Sequence, residues 1–237
     1  MMKNYSLSII YVLLLTFCLP LACLYIWLLT LLPIPWDSLA AWADTFGKGL
    51  LLFFILLLPV VLYWLAVFIL GVANIIKSFR VYRSGNVKEC INRMLIHKYG
   101  LAVFFIINFM VMSIWYFLST FGVLVGTRGL AIFAAPVLLP LLAISIALTV
   151  TVTWLAIVPG AFYGIQVIRF TLRENKTGPG AAVWHGFLQF VFLADVLDAM
   201  YLAVKKWGQG KKSSVVIGIL YILMAAAVLG AAIYIAA

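Results

Sequence analysis

The chain has 237 residues, of which 67% are hydrophobic and 9% charged, with a mean hydropathy of +1.23. Soluble domains carry about 25% charged residues, so there is too little polar surface here to clothe a water-soluble globule, and a soluble enzyme, a disordered chain and a free nucleic-acid-binding domain are excluded in favour of an integral membrane protein. The net charge of +10 comes from 16 Lys+Arg against 6 Asp+Glu; set beside long apolar runs, it points to orientation in a bilayer and contact with anionic lipid, not to nucleic acid.

A helix crossing a bilayer needs about 20 apolar residues. Runs free of Asp, Glu, Lys and Arg cover Asn4–Trp36, Gly49–Ile76, Tyr99–Thr127, Gly129–Ile168, Thr177–Ala194 and Ser213–Ala237. Backbone amides in lipid must be satisfied within the segment, which predicts helices; the short alternating segments of a membrane barrel are absent. The first run begins like a signal peptide, with Lys3 ahead of apolar residues and small-residue sites at Cys23 and at Ala41–Ala43. Its apolar stretch continues to Leu32, past an ordinary signal core, so an uncleaved first span is expected.

The second run ends in Lys77, Arg80 and Arg83. Beyond it, Asn86-Val-Lys-Glu89 has the pattern of a capping box. Val87, Cys90, Ile91, Met94 and Leu95 then recur at helical spacing, with Lys88, Asn92, Arg93 and His97 on the other face. This predicts a short amphipathic helix over 87–97, a strap on the cytoplasmic surface ahead of the third span. Gly129–Ile168 would be about 60 Å long as a helix. We read Gly129–Pro140 as a short interfacial or re-entrant piece and 141–168 as the fourth span. Trp184–Val204 carries Asp195 and Asp198 mid-segment, with a cost of about 2.5–3.5 kcal/mol for each carboxylate at the bilayer centre. Asp195, Asp198, Lys205 and Lys206 fall in one arc of a single helix, which favours an amphipathic helix over 184–206 lying at the cytoplasmic interface or tucked under the bundle, with a sixth span as the alternative.

The expected fold is therefore an all-α integral membrane protein with about five transmembrane helices (7–32, 49–76, 99–121, 141–168 and 213–237) and one or two cytoplasmic amphipathic helices, in a single domain over 1–237. Lysine and arginine collect on cytoplasmic loops. This arrangement leaves only Lys48 and Arg128 outside, with the N-terminus cytoplasmic and the C-terminus extracytoplasmic. A faint repeat relates Trp64-Leu-Ala-Val67 before Gly71 to Trp154-Leu-Ala-Ile157 before Gly160.

Polar residues that carry chemistry are few. Asn108, Gln166, His185, Asp195 and Asp198 are the candidates for a polar site. Asp195 and Asp198 share a helix face, whereas His185 lies about 80° from Asp195 on the same helix and cannot join it there. Otherwise the bundle interior is expected to hold no ionised group. Cys18, Cys23 and Cys90 form no metal-ligand spacing. No metalloprotease motif, phosphate loop or nucleophile elbow is present. No catalytic residue, cofactor or metal is assigned. The expected function is a non-enzymatic accessory or scaffold component of a cell membrane, with the bilayer and a membrane or cytoplasmic protein as partners. A transporter or permease subunit, and a lipid-acting enzyme using Asp195, Asp198 and His185, are the alternatives.

Overall fold

The computed structural model describes residues 5–31, 38–39 and 46–236; Lys3, Asp37 and Asp44 lie outside them. All of the described elements are helical. Helix α1 (Ser6–Thr16) and α2 (Cys18–Leu31) meet at Phe17 with a bend of 58°. Helix α3 (Phe46–Arg83) and α4 (Val87–Gly126) run antiparallel about the turn Ser84-Gly85-Asn86, where Gly85 takes a φ of +70°. Asn86 caps the helix as expected, and the Glu89 side chain reaches back to it. Asn86 Oδ1 accepts from Glu89 N at 3.1 Å, and Asn86 Nδ2 donates to Glu89 Oε2 at 3.3 Å.

A 3-10 turn (Leu130–Ala134) leads into α5 (Ala135–Leu155), α6 (Val158–Arg173), α7 (Pro179–Leu188), α8 (Ala194–Met200), a π-helix (Tyr201–Lys206) and α9 (Lys211–Ala236). Three helical stretches, Phe46–Arg83, Val87–Gly126 and Leu130–Leu155, are long and apolar enough to cross a membrane; the bent α1–α2 pair makes a fourth if taken as one span.

Three expectations are corrected. Residues 87–97 are not a separate surface strap. They are the first turns of α4, and Cys90, Ile91, Arg93, Met94, Leu95 and His97 are buried. Gly100 does not interrupt the helix: a Cβ there would meet Val12 Cγ1 at 2.4 Å, so this glycine serves the close approach of α1. Residues 141–168 are not one helix either. Pro159 lacks the N–H that would bond back to Leu155, and the chain breaks at Ala156–Ile157 between α5 and α6. Pro136, by contrast, sits in the first turn of α5, where its missing N–H costs nothing, and Pro140 is carried inside that helix. Finally, 184–206 is not a single amphipathic helix: it breaks after Leu188 and resumes at Ala194, with Leu193 at a φ of +67°.

The core lies at one end of the bundle. One cluster joins Val81 of α3, Met94 of α4, Tyr163 and Phe170 of α6, Ala199 of α8 and Leu202 of the π-helix. A second, adjoining it, packs Tyr11 and Leu15 of α1 on Val67, Leu101 and Phe105. Farther from this base the helices are joined by few contacts, among them Tyr25 donating to the Leu56 carbonyl and the Tyr116–Thr149 bond. Helix α5 buries none of its residues, and Phe53, Phe109, Phe117, Ile144 and Leu148 are exposed.

Candidate functional site

The base of the bundle encloses two polar networks placed back to back on α4. The first is ionic. The ammonium of Lys98, 2% exposed, donates to Asp195 Oδ2 at 2.7 Å and to the carbonyl of Gln189 at 3.1 Å. Gln189 Nε2 donates to Asp198 Oδ2 at 2.6 Å, and His185 Nδ1 bonds the other oxygen of that carboxylate. Asp195, Asp198 and Gln189 are all buried. Burial pushes both carboxyls above the usual carboxylate range, opposed at Asp195 by the Lys98 charge and at Asp198 chiefly by the His185 bond.

The break at residues 189–193 makes this arrangement possible, because it folds α7 back beside α8. His185 then reaches Asp198 across a turn, which one straight helix forbids. The turn is held by Trp154 Nε1 donating to Phe190 O at 3.0 Å and by the Phe105–Phe192 ring contact.

The second network centres on Asn74 of α3. Its Nδ2 donates to the carbonyls of Leu7 and Leu70, which fixes the amide with Oδ1 as the acceptor. Ser8 Oγ donates to that oxygen at 3.0 Å, and His97 Nε2 lies 3.1 Å from it. The neighbouring acceptor therefore places the His97 proton on Nε2. Arg93 Nη1 donates to Ser8 Oγ at 3.2 Å, and Arg93 Nε to Glu89 Oε1 at 3.0 Å. The ring of Tyr163 stacks on His97 with centroids 5.5 Å apart.

Both networks need close helix approach, and α6 supplies it through Gly160-Ala-Phe-Tyr-Gly164. A Cβ at Gly160 would stand 3.0 Å from His97 Cβ, and one at Gly164 would stand 2.1 Å from Gln189 Oε1. Two small residues four apart let membrane helices touch at the backbone. That spacing is legible in the sequence, and Asn74 stands out there as a polar residue within an apolar run, whereas nothing local to Ser8 or Lys98 marks either for a buried network.

The remaining candidates lie apart from this site. Asn108 Nδ2 donates to Thr153 Oγ1 at 3.0 Å and ties α4 to α5; two turns along α4, Tyr116 bonds Thr149 at 2.7 Å. Gln166 accepts from Arg169 at 3.1 Å. Among the described residues, no hydrogen bond joins Asn108 or Gln166 to the acidic pair.

Lys98, Asp195 and Arg93 are buried at the base, so this end of the bundle, unlike the apolar interior expected above, holds charged side chains. Lys98 sits where the polar start of α4 gives way to its long apolar stretch, so the ion pair lies at the end of the spanning segment, not at its middle. Among the described residues no group of three or more His, Cys, Asp or Glu is arranged to hold a metal.

This architecture is all-helical among the described residues, with three helices, or four if the bent α1–α2 pair is one span, long and apolar enough to cross a membrane. Residues 8–209 match the family of unknown function DUF6652, and the chain belongs to that family. The matched stretch begins at Ser8 and ends beyond Asp198, so it contains the side chains of both networks. No curated protein and no solved structure matches the chain.

Proposed function

We propose that the protein is a multi-pass, non-enzymatic scaffold component of a cell membrane. In this reading the base faces the cytoplasm, α1–α2, α3, α4, α5 and α9 make five crossings, and the upper helices bind another membrane protein. The observation that carries it is the contrast between the two ends. Ion pairs and hydrogen bonds consume the charges of Lys98, Asp195 and Asp198 in joining α4, α7 and α8, whereas α5 buries none of its residues. Exposed apolar faces of this extent mark sites of lipid or protein contact. Sidedness is supported by the basic residues, which gather on the helix ends of the base, while Lys48 and Arg128 stand at the opposite ends of α3 and α4.

Photo-crosslinking side chains placed at Ile144 and Leu148 in native membranes test the partner directly. Discrete protein adducts are expected; lipid adducts alone at both positions would overturn the proposal.

A permease subunit is the second reading. It is favoured by a 360 Å³ cavity between α4 and α5 that reaches Asn108, Thr149 and Thr153. Labelling of Ser113→Cys by a water-soluble maleimide would favour transport, and a silent site would favour the scaffold.

A further inference from the structure

We propose that the wedge between the π-helix and α9 binds one anionic phospholipid, its phosphate held by Lys205 and Lys211 and one acyl chain lying along α9. The inference rests on the membrane placement proposed above and is independent of any protein partner.

The wedge is a cavity of 690 Å³ whose lining is almost wholly apolar and includes the hydrocarbon stems of Lys205 and Lys211. At one end stand Lys205 and Lys211, both exposed, and among the described residues neither has a carboxylate within ion-pair distance. Along the other wall Val215, Ile219 and Ile222 recur on successive turns of α9 and are 62%, 52% and 70% exposed. Gly218 keeps that wall open, because a Cβ there would meet only Met200 Cε at 3.7 Å.

The π-helix sets the cationic end. Its last two residues part ways: Lys206 turns back, Nζ donating to the carbonyl of Lys176 at 2.9 Å, while Lys205 lines the wedge. The N-terminus of α9 begins at Lys211 and adds the positive end of a long helix to the same spot.

Charge at one end and an apolar stripe at the other match a ligand divided the same way. Inorganic phosphate or an acidic peptide would satisfy the lysines and leave the stripe bare; a neutral lipid would fill the stripe and leave the lysines unpaired.

The test uses the full chain reconstituted in bilayers of phosphatidylcholine with phosphatidylglycerol, then extracted in mild detergent and weighed by native mass spectrometry. Wild type is expected to retain one phosphatidylglycerol and to release phosphatidylcholine. Lys205→Gln with Lys211→Gln is expected to weaken retention about 30-fold, at about 1 kcal/mol for each surface lysine. Gly218→Leu keeps both lysines, fills the chain seat and is expected to abolish retention. Circular dichroism checks each variant, and Ile219→Gln replaces Gly218→Leu if helicity is lost. Unchanged retention in the lysine or chain-seat variants would overturn the proposal. So would equal retention of both lipids, or an equal loss in Lys77→Gln with Arg80→Gln, which would reduce the effect to diffuse surface charge. Because both leaflets of the reconstituted bilayer are identical, the result does not depend on sidedness or on adducts at Ile144 and Leu148.

Discussion

Taking the Lys98 ammonium and the Asp195 carboxylate out of water costs several kcal/mol per ion, and their attraction offsets this only while both are present. Lys98→Met is therefore expected to destabilise the protein by about 3–5 kcal/mol, and Lys98→Met with Asp195→Leu to recover most of the loss. Reversible unfolding in detergent measures both, and a single variant as stable as wild type would remove the pair from the account. The same logic predicts that Asp195→Asn is poorly tolerated, because it strands the Lys98 charge. Asp198 makes a pH prediction. Burial raises its carboxyl above the ordinary value of 3.8, so the folded state holds that proton more tightly than the unfolded chain does. Its contribution is fully present below 3.8 and is lost as pH rises through the raised value. The melting temperature is expected to fall across that window, and Asp198→Asn to flatten the slope; a slope unchanged by the substitution would count against it. At this scale the shared face of Asp195 and Asp198 was legible, because helical spacing alone sets it. Their partners were not, since Lys98 is a loop charge until tertiary packing buries it.

Elements differ in how openly the sequence declares them. The α4 start at Asn86 and the long apolar stretches of α3 and α4 follow from capping chemistry and composition. The breaks at Phe17 and Ala156–Ile157 each have a proline four residues after the last helical residue, Pro20 after Thr16 and Pro159 after Leu155, whereas the break at 189–193 has none and arises from packing. The faint repeat ends at Ala156–Ile157 too: after Gly71, α3 continues to Arg83, whereas the helix that carries Trp154 stops at Leu155. Gly164 shows how tightly α6 meets the α7–α8 turn. A methyl group there must displace Gln189, which Asp198 holds. Gly164→Ala is expected to cost about 1–3 kcal/mol, and Gly164→Ala with Gln189→Ala to cost less than Gly164→Ala alone. Gly122→Ala, with open space around its Cβ, is the control. Equal stability of Gly164→Ala and the control would show that the turn yields freely.

For the whole molecule, the all-helical build and the several apolar helices were legible from the sequence, because long apolar runs satisfy their backbone amides as helices and lack the alternation of a barrel. The compact base was not, because it is made from residues far apart in the chain. Reporter fusions test the proposed topology: one after Gly85 is expected to read as cytoplasmic and one after Ala237 as extracytoplasmic, and the opposite result at either would end the five-span arrangement. The spacing of the ion pair also bears on how the protein is made. Lys98 and Asp195 are 97 residues apart, so at about 5–20 residues per second the ribosome delivers the cation many seconds before its counter-ion. On the membrane placement proposed above, the lone ammonium is expected to stay with water during that interval and to keep α4 from sliding deeper, so the lock closes only after the helices ahead of it have inserted.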